Sequence, residues 1–294
     1  MAPPRLFCFG LGYSARALAD AVMAQGWRVA GSCRSTEKQA DLRDAGIEAF
    51  LFDRGQPLSD SAAALSGTTH LLSSVPPDAS GDPVLDHHSA EIAALPALQW
   101  AGYLSTTGVY GDRDGGWVDE SSDLRPSGER GRRRVAAEQG WLDLLSRNEV
   151  PVHIFRLAGI YGPGRNALET VRAGRARRIV KPGQVFSRIH RDDIVAVLRA
   201  SMARANPGAA YNLCDDEAAP PQDVIAFACD LLGVAPPPDM SFEKAELSAM
   251  ARSFYRDNKR VCNRRIKEEL GVRLAWPDYR TGLRALSADQ ASSS

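Results

Sequence analysis

Four arginines stand within five positions in the stretch Gly128–Gly140, which reads GERGRRRVAAEQG. A guanidinium stays protonated at physiological pH, and its planar fork of N–H groups matches the oxygens of carboxylates and phosphates. On a helix, Arg130 and Arg134 share one face because they are four residues apart. We therefore interpret these two arginines as candidates for binding an anion, and Arg132 and Arg133 as surface residues.

A glycine-rich turn near the start of the chain indicates a second kind of chemistry. The motif Gly10-x-Gly12-x-x-Ala15 follows the apolar run Leu6–Phe9 and opens a helical pattern. Such a turn bends tightly, lets a pyrophosphate approach the backbone, and presents the N–H groups of the helix start to the phosphates. The alternative is an ordinary strand–turn–helix corner built from small residues. The predicted dinucleotide contacts here are Gly10, Gly12, Tyr13, Ser14 and Ala15.

The end of the second predicted strand favours NADP over NAD. An NAD site typically has Asp or Glu there to bind the ribose hydroxyls, whereas this strand ends in SCRS. An arginine fork suits a 2′-phosphate, so we predict Arg34 as the main contact with Ser35 beside it; a solvent-exposed arginine is the alternative. Asp53, which ends the third strand, is placed to meet the adenine, and Ser74 in the fourth strand completes the predicted cofactor set.

The elements that must position these residues follow a regular alternation. Strand-like and helix-like segments alternate from Leu6–Phe9 to Val152–Leu157, after which the rhythm changes. Alternation of this kind predicts parallel strands joined by helical crossovers. We predict an α/β protein, a Rossmann-type doubly wound parallel sheet with a smaller interleaved C-terminal α/β lobe. The Rossmann domain is expected over residues 1–165 and the substrate lobe mainly over 166–294, with segments at about 190–215 returning to complete the Rossmann domain.

Composition narrows the class of protein. The 294 residues carry 36 Lys+Arg and 36 Asp+Glu, and a formal net charge of zero argues against a general nucleic-acid or membrane-surface binder. The five cysteines are scattered without a C-x-x-C motif, which suits free thiols in a reducing cytoplasm better than a disulfide or zinc framework. We expect a cytoplasmic protein with no bound metal, no nucleic-acid partner and no membrane association.

The segments LSTTGVYGD, IYGPGRN, IHRDDIV and YNLCDDE follow one another in an order that resembles the extended short-chain dehydrogenase/reductases of the NAD-dependent epimerase/dehydratase-like type. The tail NKRVCNRRIKEELGVRLAWPDYRTGL resembles the end of the atypical, YeeZ-like subgroup. The resemblance covers nearly the whole chain and implies a Rossmann core, an NAD(P) cofactor and a lobe that closes on the substrate. One departure is Phe9, which replaces the first glycine of the family's G-x-x-G-x-x-G turn.

The resemblance also implies a catalytic set, a Ser or Thr followed by Tyr-x-x-x-Lys. Aligned on VYGD and AAEQ, Thr106 takes the Ser/Thr position, Arg130 that of the tyrosine and Arg134 that of the lysine. In the family the hydroxyl orients the substrate and the tyrosine exchanges a proton with it. Arg134 is able to replace the lysine's charge, but Arg130 stays protonated and cannot act as a base. Glu138 continues the same helical face and is expected to pair with Arg134.

Three hypotheses for function follow. The first is an NADP(H)-dependent oxidoreductase or epimerase-like enzyme with atypical acid/base chemistry, acting on a small anionic substrate such as a nucleotide sugar. The second is a catalytically lapsed NADP(H)-binding regulatory or sensor protein, which the absent tyrosine supports. The third, nucleic-acid binding by the arginines, is disfavoured by the zero net charge and the absence of interleaved aromatic residues. A homodimer that pairs this arginine-rich helix with its symmetry mate would bring like charges together, which favours a monomer. A monomer and a homodimer therefore both stay open.

Overall fold

A seven-stranded sheet is the largest feature of the computed structural model, which describes residues 2–291. The strands in chain order are β1 Arg5–Phe9, β2 Arg28–Cys33, β3 Glu48–Leu51, β4 His70–Ser73, β5 Trp100–Thr106, β6 Trp117–Val118, β7 Val152–Leu157, β8 Gly159–Tyr161, β9 Arg178–Val180, β10 Arg188–His190, β11 Ala210–Leu213, β12 Asp239–Ser241 and β13 Arg260–Val261. The helices are α1 Tyr13–Met23, α2 Thr36–Asp44, α3 Ser61–Leu65, α4 Pro83–Ala93, α5 Glu129–Asn148, α6 Ala167–Arg172, α7 Arg191–Ala203, α8 Pro221–Leu231, α9 Ala249–Phe254, α10 Arg264–Glu268 and α11 Tyr279–Ala291. Residues 1 and 292–294, at the outer ends of the two predicted domains, lie outside the described residues.

The strand order of the large sheet is β3-β2-β1-β4-β5-β7-β11. The pairs β1/β2, β1/β4, β2/β3 and β4/β5 are all parallel. Starting from β1, the chain adds strands first toward β3 and then, after reversing, toward β11, which is the doubly wound arrangement. This topology confirms the predicted fold class.

Two compact units divide the chain, and each draws on three separate segments. The first comprises the described parts of Met1–Thr106, Arg132–Arg156 and Val195–Tyr211. The second comprises the described parts of Thr107–Gly131, Leu157–Ile194 and Asn212–Ser294. Short parallel pairs, β8 with β10, β9 with β12 and β6 with β13, belong to the second unit.

The core of the first unit explains why its strands lack a polar face. All five residues of β1 are buried, as expected for a parallel strand that is covered on both faces. Helix α1 places Ala15, Leu18, Ala19 and Val22 inward, a spacing of three and four residues that forms one apolar stripe. Tyr103 of β5 stacks on Trp141 of α5 with ring centroids 5.7 Å apart, so α5 is fixed against the sheet by its later turns.

The second unit has a core of its own, to which the last helix contributes. Tyr279 and Leu283 of α11 are buried beside Tyr161, Leu168 and other apolar residues. The sequence pattern did not predict α11. Within residues 2–291, every helix is too short or too polar to cross a membrane.

Candidate functional site

The glycine turn connects β1 to α1 and depends on conformations that side chains would disturb. Gly10 has a φ of +81°, and a Cβ atom there would lie 2.9 Å from Ser74 Oγ. Its N–H donates to Ser32 Oγ at 3.0 Å, and its carbonyl accepts a short hydrogen bond from Ser74 Oγ. The turn is therefore tied to the ends of β2 and β4, and a larger residue at position 10 would force them apart.

Two further glycines open the turn to a ligand and to the neighbouring strand. Gly12 is the N-cap of α1, and a Cβ atom there would meet nothing within 4 Å. Because Gly12 has no side chain, the N-cap residue supplies no capping bond, and the partial positive charge of a helix N-terminus favours an anion nearby. Gly31 of β2 allows both β1 and the turn to pass close by, because a Cβ atom there would lie 2.5 Å from Cys8 O and 2.7 Å from the side chain of Leu11.

A cavity of about 650 Å³ lies beside this turn, at the carboxyl ends of β1 to β4, and we call it the glycine-turn cavity. Ligands of doubly wound sheets bind at this edge. The structure brings five predicted residues to its wall: Gly10, Gly12, Arg34, Asp53 and Ser74. The wall also contains residues that the sequence reasoning missed: Ser32, Cys33, Lys38, Arg54 and Asp78.

The other predicted cofactor residues lie off this wall. Ser14 and Ala15 are buried on the inner face of α1, and the hydroxyl of Ser14 finds no hydrogen-bond partner in the described part of the chain. Tyr13 begins α1. Ser35 is the N-cap of α2, where its Oγ accepts the N–H of Lys38 at 3.3 Å. The Ser35 side chain therefore has a structural bond of its own.

The far end of the glycine-turn cavity is fixed by ion pairs. Asp53 Oδ1 accepts the N–H of Gly55 at 2.8 Å, which closes a turn after β3. Arg54 then binds Asp78 through two bonds, of 2.8 and 3.0 Å, and Asp86 through a third of 2.5 Å. These side-chain bonds raise the pKa of Arg54. Arg54 thus joins the end of β3 to the loop between β4 and α4.

The arginine helix, as we call α5 (Glu129–Asn148), places Arg134 against the end of β5. One nitrogen, Nη1, donates to Tyr103 OH at 3.0 Å and to Leu104 O at 2.6 Å. The guanidinium carbon also lies 5.6 Å from the centre of the Tyr103 ring. Burial raises the pKa of Tyr103, and Arg134 partly opposes that shift. Arg134 therefore holds a neutral, buried phenol.

The predicted pair of Glu138 with Arg134 is wrong. Glu138 is buried and binds Arg156 of β7, with N···O distances of 3.2, 3.2 and 2.8 Å. It also accepts Ser105 Oγ at 2.5 Å. A fully buried carboxylate requires a partner that shares its burial, and Arg156 meets that need while Arg134 remains half-buried at the helix start.

The remaining two predicted catalytic residues lie in different surroundings. Thr106 is the last residue of β5, directly before the 3-10 turn Thr107–Tyr110. Arg130 is exposed in the first turn of the arginine helix, and its guanidinium carbon lies 5.7 Å from the ring centre of Phe254. Phe254 is itself 55% exposed. The contact leaves the Arg130 side chain on the surface of the second unit.

Comparison with known proteins agrees with this geometry. No protein-family profile matches the chain. Protein YeeZ of Escherichia coli strain K12 is 29% identical over 287 residues, which cover 92% of this chain and 95% of YeeZ. A functionally unknown conserved protein from Silicibacter pomeroyi is 55% identical, with a TM-score of 0.90 over 97% of this chain and 99% of that one. A structure from Methylobacillus flagellatus, provisionally named an NAD-dependent epimerase/dehydratase, is 27% identical with a TM-score of 0.74 over 99% and 100% of the two chains.

The sheet topology, the glycine turn and these similarities define the class. The chain has the fold of the extended short-chain dehydrogenase/reductases and is similar over its whole length to a structure named for the epimerase/dehydratase type. Its likeness to Protein YeeZ over most of the chain supports the resemblance to the YeeZ-like subgroup.

Proposed function

We propose that this protein binds NADP(H) in the glycine-turn cavity and acts as an oxidoreductase or epimerase-like enzyme on a small anionic substrate. The observation that carries the cofactor proposal is the wall after β2, where Arg34 lines the cavity. A carboxylate in that place would repel a 2′-phosphate, whereas a guanidinium attracts it. The name of the Methylobacillus relative supports the coarser proposal, a nicotinamide dinucleotide.

The residues present fit such a cofactor. Gly10 and Gly12 leave room for a pyrophosphate next to the uncapped start of α1, which supplies N–H donors for it. Asp53 and the Arg54–Asp78 pair line the same cavity, at the end where we place the adenosine. The cavity volume of about 650 Å³ lies within the range of small-molecule sites.

The chain's own residues differ from the family pattern at the reacting end. A bound nicotinamide supplies a centre that accepts or donates hydride. In this proposal Thr106 orients the substrate oxygen, Arg134 supplies the positive charge of the family's lysine, and Arg130 binds the substrate's anionic group. Since Arg130 cannot exchange a proton, the proposed reaction requires another proton donor and acceptor in place of the family's tyrosine. A nucleotide sugar fits this proposal because its diphosphate matches a guanidinium fork.

The cofactor proposal is tested by binding. Isothermal titration with NADP⁺, NADPH, NAD⁺ and NADH is expected to give at least a tenfold preference, about 1.4 kcal/mol, for the phosphorylated forms. Arg34→Ala is expected to remove most of that preference. Arg204→Ala, an exposed arginine in the same unit, is the matched control and should retain it. Equal or tighter binding of NAD in the unaltered protein would refute the NADP assignment.

Turnover is tested separately with a panel of nucleotide sugars and small carbonyl acids, by NADPH absorbance for net reduction and by chromatography of the sugars for epimerisation, which returns the hydride to the product. Consumption of NADPH or conversion of a sugar that depends on the protein supports the enzyme proposal. Normal NADPH binding without turnover of any compound would overturn it.

One observation favours a second candidate, a catalytically lapsed NADP(H) sensor. Arg134 is engaged with Tyr103 and Leu104, and Arg130 lies over the exposed ring of Phe254, so both arginines have contacts within the protein that require no substrate. A sensor is expected to bind NADP⁺ and NADPH with clearly different affinities. Equal affinities, together with turnover in the panel, would exclude it.

A further inference from the structure

We propose that Lys38 acts with Arg34 as a two-cation clamp for a phosphomonoester on the adenosine ribose, and so determines cofactor specificity. The proposal rests on the proposed function, because it assumes that the glycine-turn cavity takes an adenine dinucleotide. It adds a residue that the sequence reasoning did not include, and it removes Ser35 from the phosphate contacts.

The first argument is position. Arg34 and Lys38 both line the glycine-turn cavity, and both side chains are exposed there. Between them Ser35 caps α2 by accepting the Lys38 N–H. Because this bond uses the backbone of Lys38, it fixes the turn while leaving the ammonium group available to the cavity.

The second argument is electrostatic. Lys38 is the third residue of α2, a position where a capping box has Glu or Gln. A cation in the first turn opposes the helix dipole, and Arg34 adds a second positive charge nearby. Glu37 is the acidic residue of that turn. A phosphate dianion between the two cations would turn this unfavourable arrangement into two charge-assisted contacts.

The shared chemistry of the ligand is a ribose phosphomonoester, which adenine cofactors carry at either the 2′ or the 3′ position. We assign the 2′ position, since the glycine turn and the cavity after β2 fit a dinucleotide. The simplest probes are 2′,5′-ADP and 3′,5′-ADP, with ADP as the ligand that lacks the monoester on the ribose.

The experiment is isothermal titration of the full chain with these three probes. Lys38→Ala is expected to weaken 2′,5′-ADP binding by roughly tenfold or more, as for loss of a hydrogen bond to a charged group, and to leave ADP unaffected. Arg34→Ala should have a larger effect of the same kind, and Lys38→Arg should restore most of the affinity. Lys244→Ala, an exposed lysine in the second unit, removes the same charge and should match the unaltered protein.

Each failure has a distinct signature. If Lys38→Ala behaves like Lys244→Ala while Arg34→Ala weakens 2′,5′-ADP, the clamp is wrong but the NADP proposal stands. If 3′,5′-ADP binds more tightly than 2′,5′-ADP, the 2′ assignment is wrong. If the unaltered protein binds neither NADP nor 2′,5′-ADP, the proposed function itself fails.

Discussion

The glycine turn and the arginine helix belong to the same family scaffold, yet they depend on the sequence in different ways. The turn depends on the absence of side chains, at Gly10 and Gly31, and on backbone bonds to Ser32 and Ser74. The arginine helix depends on particular charged groups, and the family resemblance aligns its Arg130 and Arg134 with the tyrosine and lysine of the usual catalytic pair. We therefore expect cofactor binding to survive changes that remove the usual proton transfer, because the two properties rest on different residues.

The largest expected effect comes from comparing a buried carboxylate of the arginine helix with an exposed one. Glu138→Leu leaves Arg156 buried without its carboxylate, which is expected to lower the free energy of unfolding by about 3–5 kcal/mol. Asp143→Leu removes an exposed ion pair with Arg147 on the same helix and should lower it by at most about 1 kcal/mol. Urea denaturation followed by circular dichroism measures both. Equal losses would show that Glu138 has no special structural role.

The next prediction concerns the turn. Gly10→Val places a side chain at a φ of +81° beside Ser74, so NADP affinity is expected to fall at least ~100-fold, about 2.7 kcal/mol. Gly26 has the same φ with open space around its Cβ position, which makes Gly26→Val the matched control. Both variants share the backbone strain of about 1–3 kcal/mol. If calorimetry gives both the same NADP affinity, the turn does not form the site.

A third prediction concerns the pH dependence of the free energy of unfolding and uses His153 of strand β7 in the large sheet. His153 is buried, and its Nε2 accepts the N–H of Asn206 at 2.9 Å. Burial lowers its pKa to about 4, while the unfolded chain takes up this proton near 6.5. Stability from this group is therefore present above pH 6.5 and is lost as pH falls toward 4, with a slope of at most about 1.4 kcal/mol per pH unit.

The variant His153→Gln keeps an acceptor but does not titrate. Its unfolding free energy is expected to fall less steeply between pH 6.5 and 4, although His70 and His190, whose pKa values burial also lowers to about 4, still contribute. An unchanged slope would show that His153 titrates alike in the folded and the unfolded chain, which would contradict the prediction.

The smallest effect is expected from restoring the family's lysine. Arg134→Lys removes the guanidinium that binds both Tyr103 OH and Leu104 O, so the free energy of unfolding should fall by about 1 kcal/mol, with NADP affinity unchanged. Arg147→Lys, at an exposed position of the same helix, is the control and should match the unaltered protein. Thermal unfolding and calorimetry together decide the result. A large loss of NADP affinity in Arg134→Lys would place Arg134 in the cofactor site.

The fold was predictable because its signals are local. The apolar run of β1, the glycines that follow it and the alternation of strands and helices are all visible along the chain, and the resulting sheet matches the expectation. The arginine helix spans Glu129–Asn148, and its start is hard to predict because its first turn is polar and lacks an apolar stripe. Helix α11 was missed in a tail that had been matched only by resemblance.

The site was predictable only in part, because partners depend on pairing in space. Glu138 binds Arg156, 18 residues further along the chain and on a strand, and helical spacing alone pointed to Arg134 instead. Lys38 lines the cavity from the first turn of α2, and the dinucleotide-binding motif does not include that position. The assignment of Thr106, Arg130 and Arg134 to catalysis stays a prediction.

The buried network of Ser105, Glu138 and Arg156 affects which residues of the arginine helix can be exchanged without loss of the fold. Ser105 and Arg156 hold the helix through Glu138, and none of these three side chains lies at the helix tip, where Arg130 is exposed. Arg130 can thus be exchanged while the anchor keeps the helix in register, whereas Gly131 beside it is constrained, because a Cβ atom there would lie 2.6 Å from Pro126. A new side chain at position 130 therefore leaves the buried contacts of this helix in place.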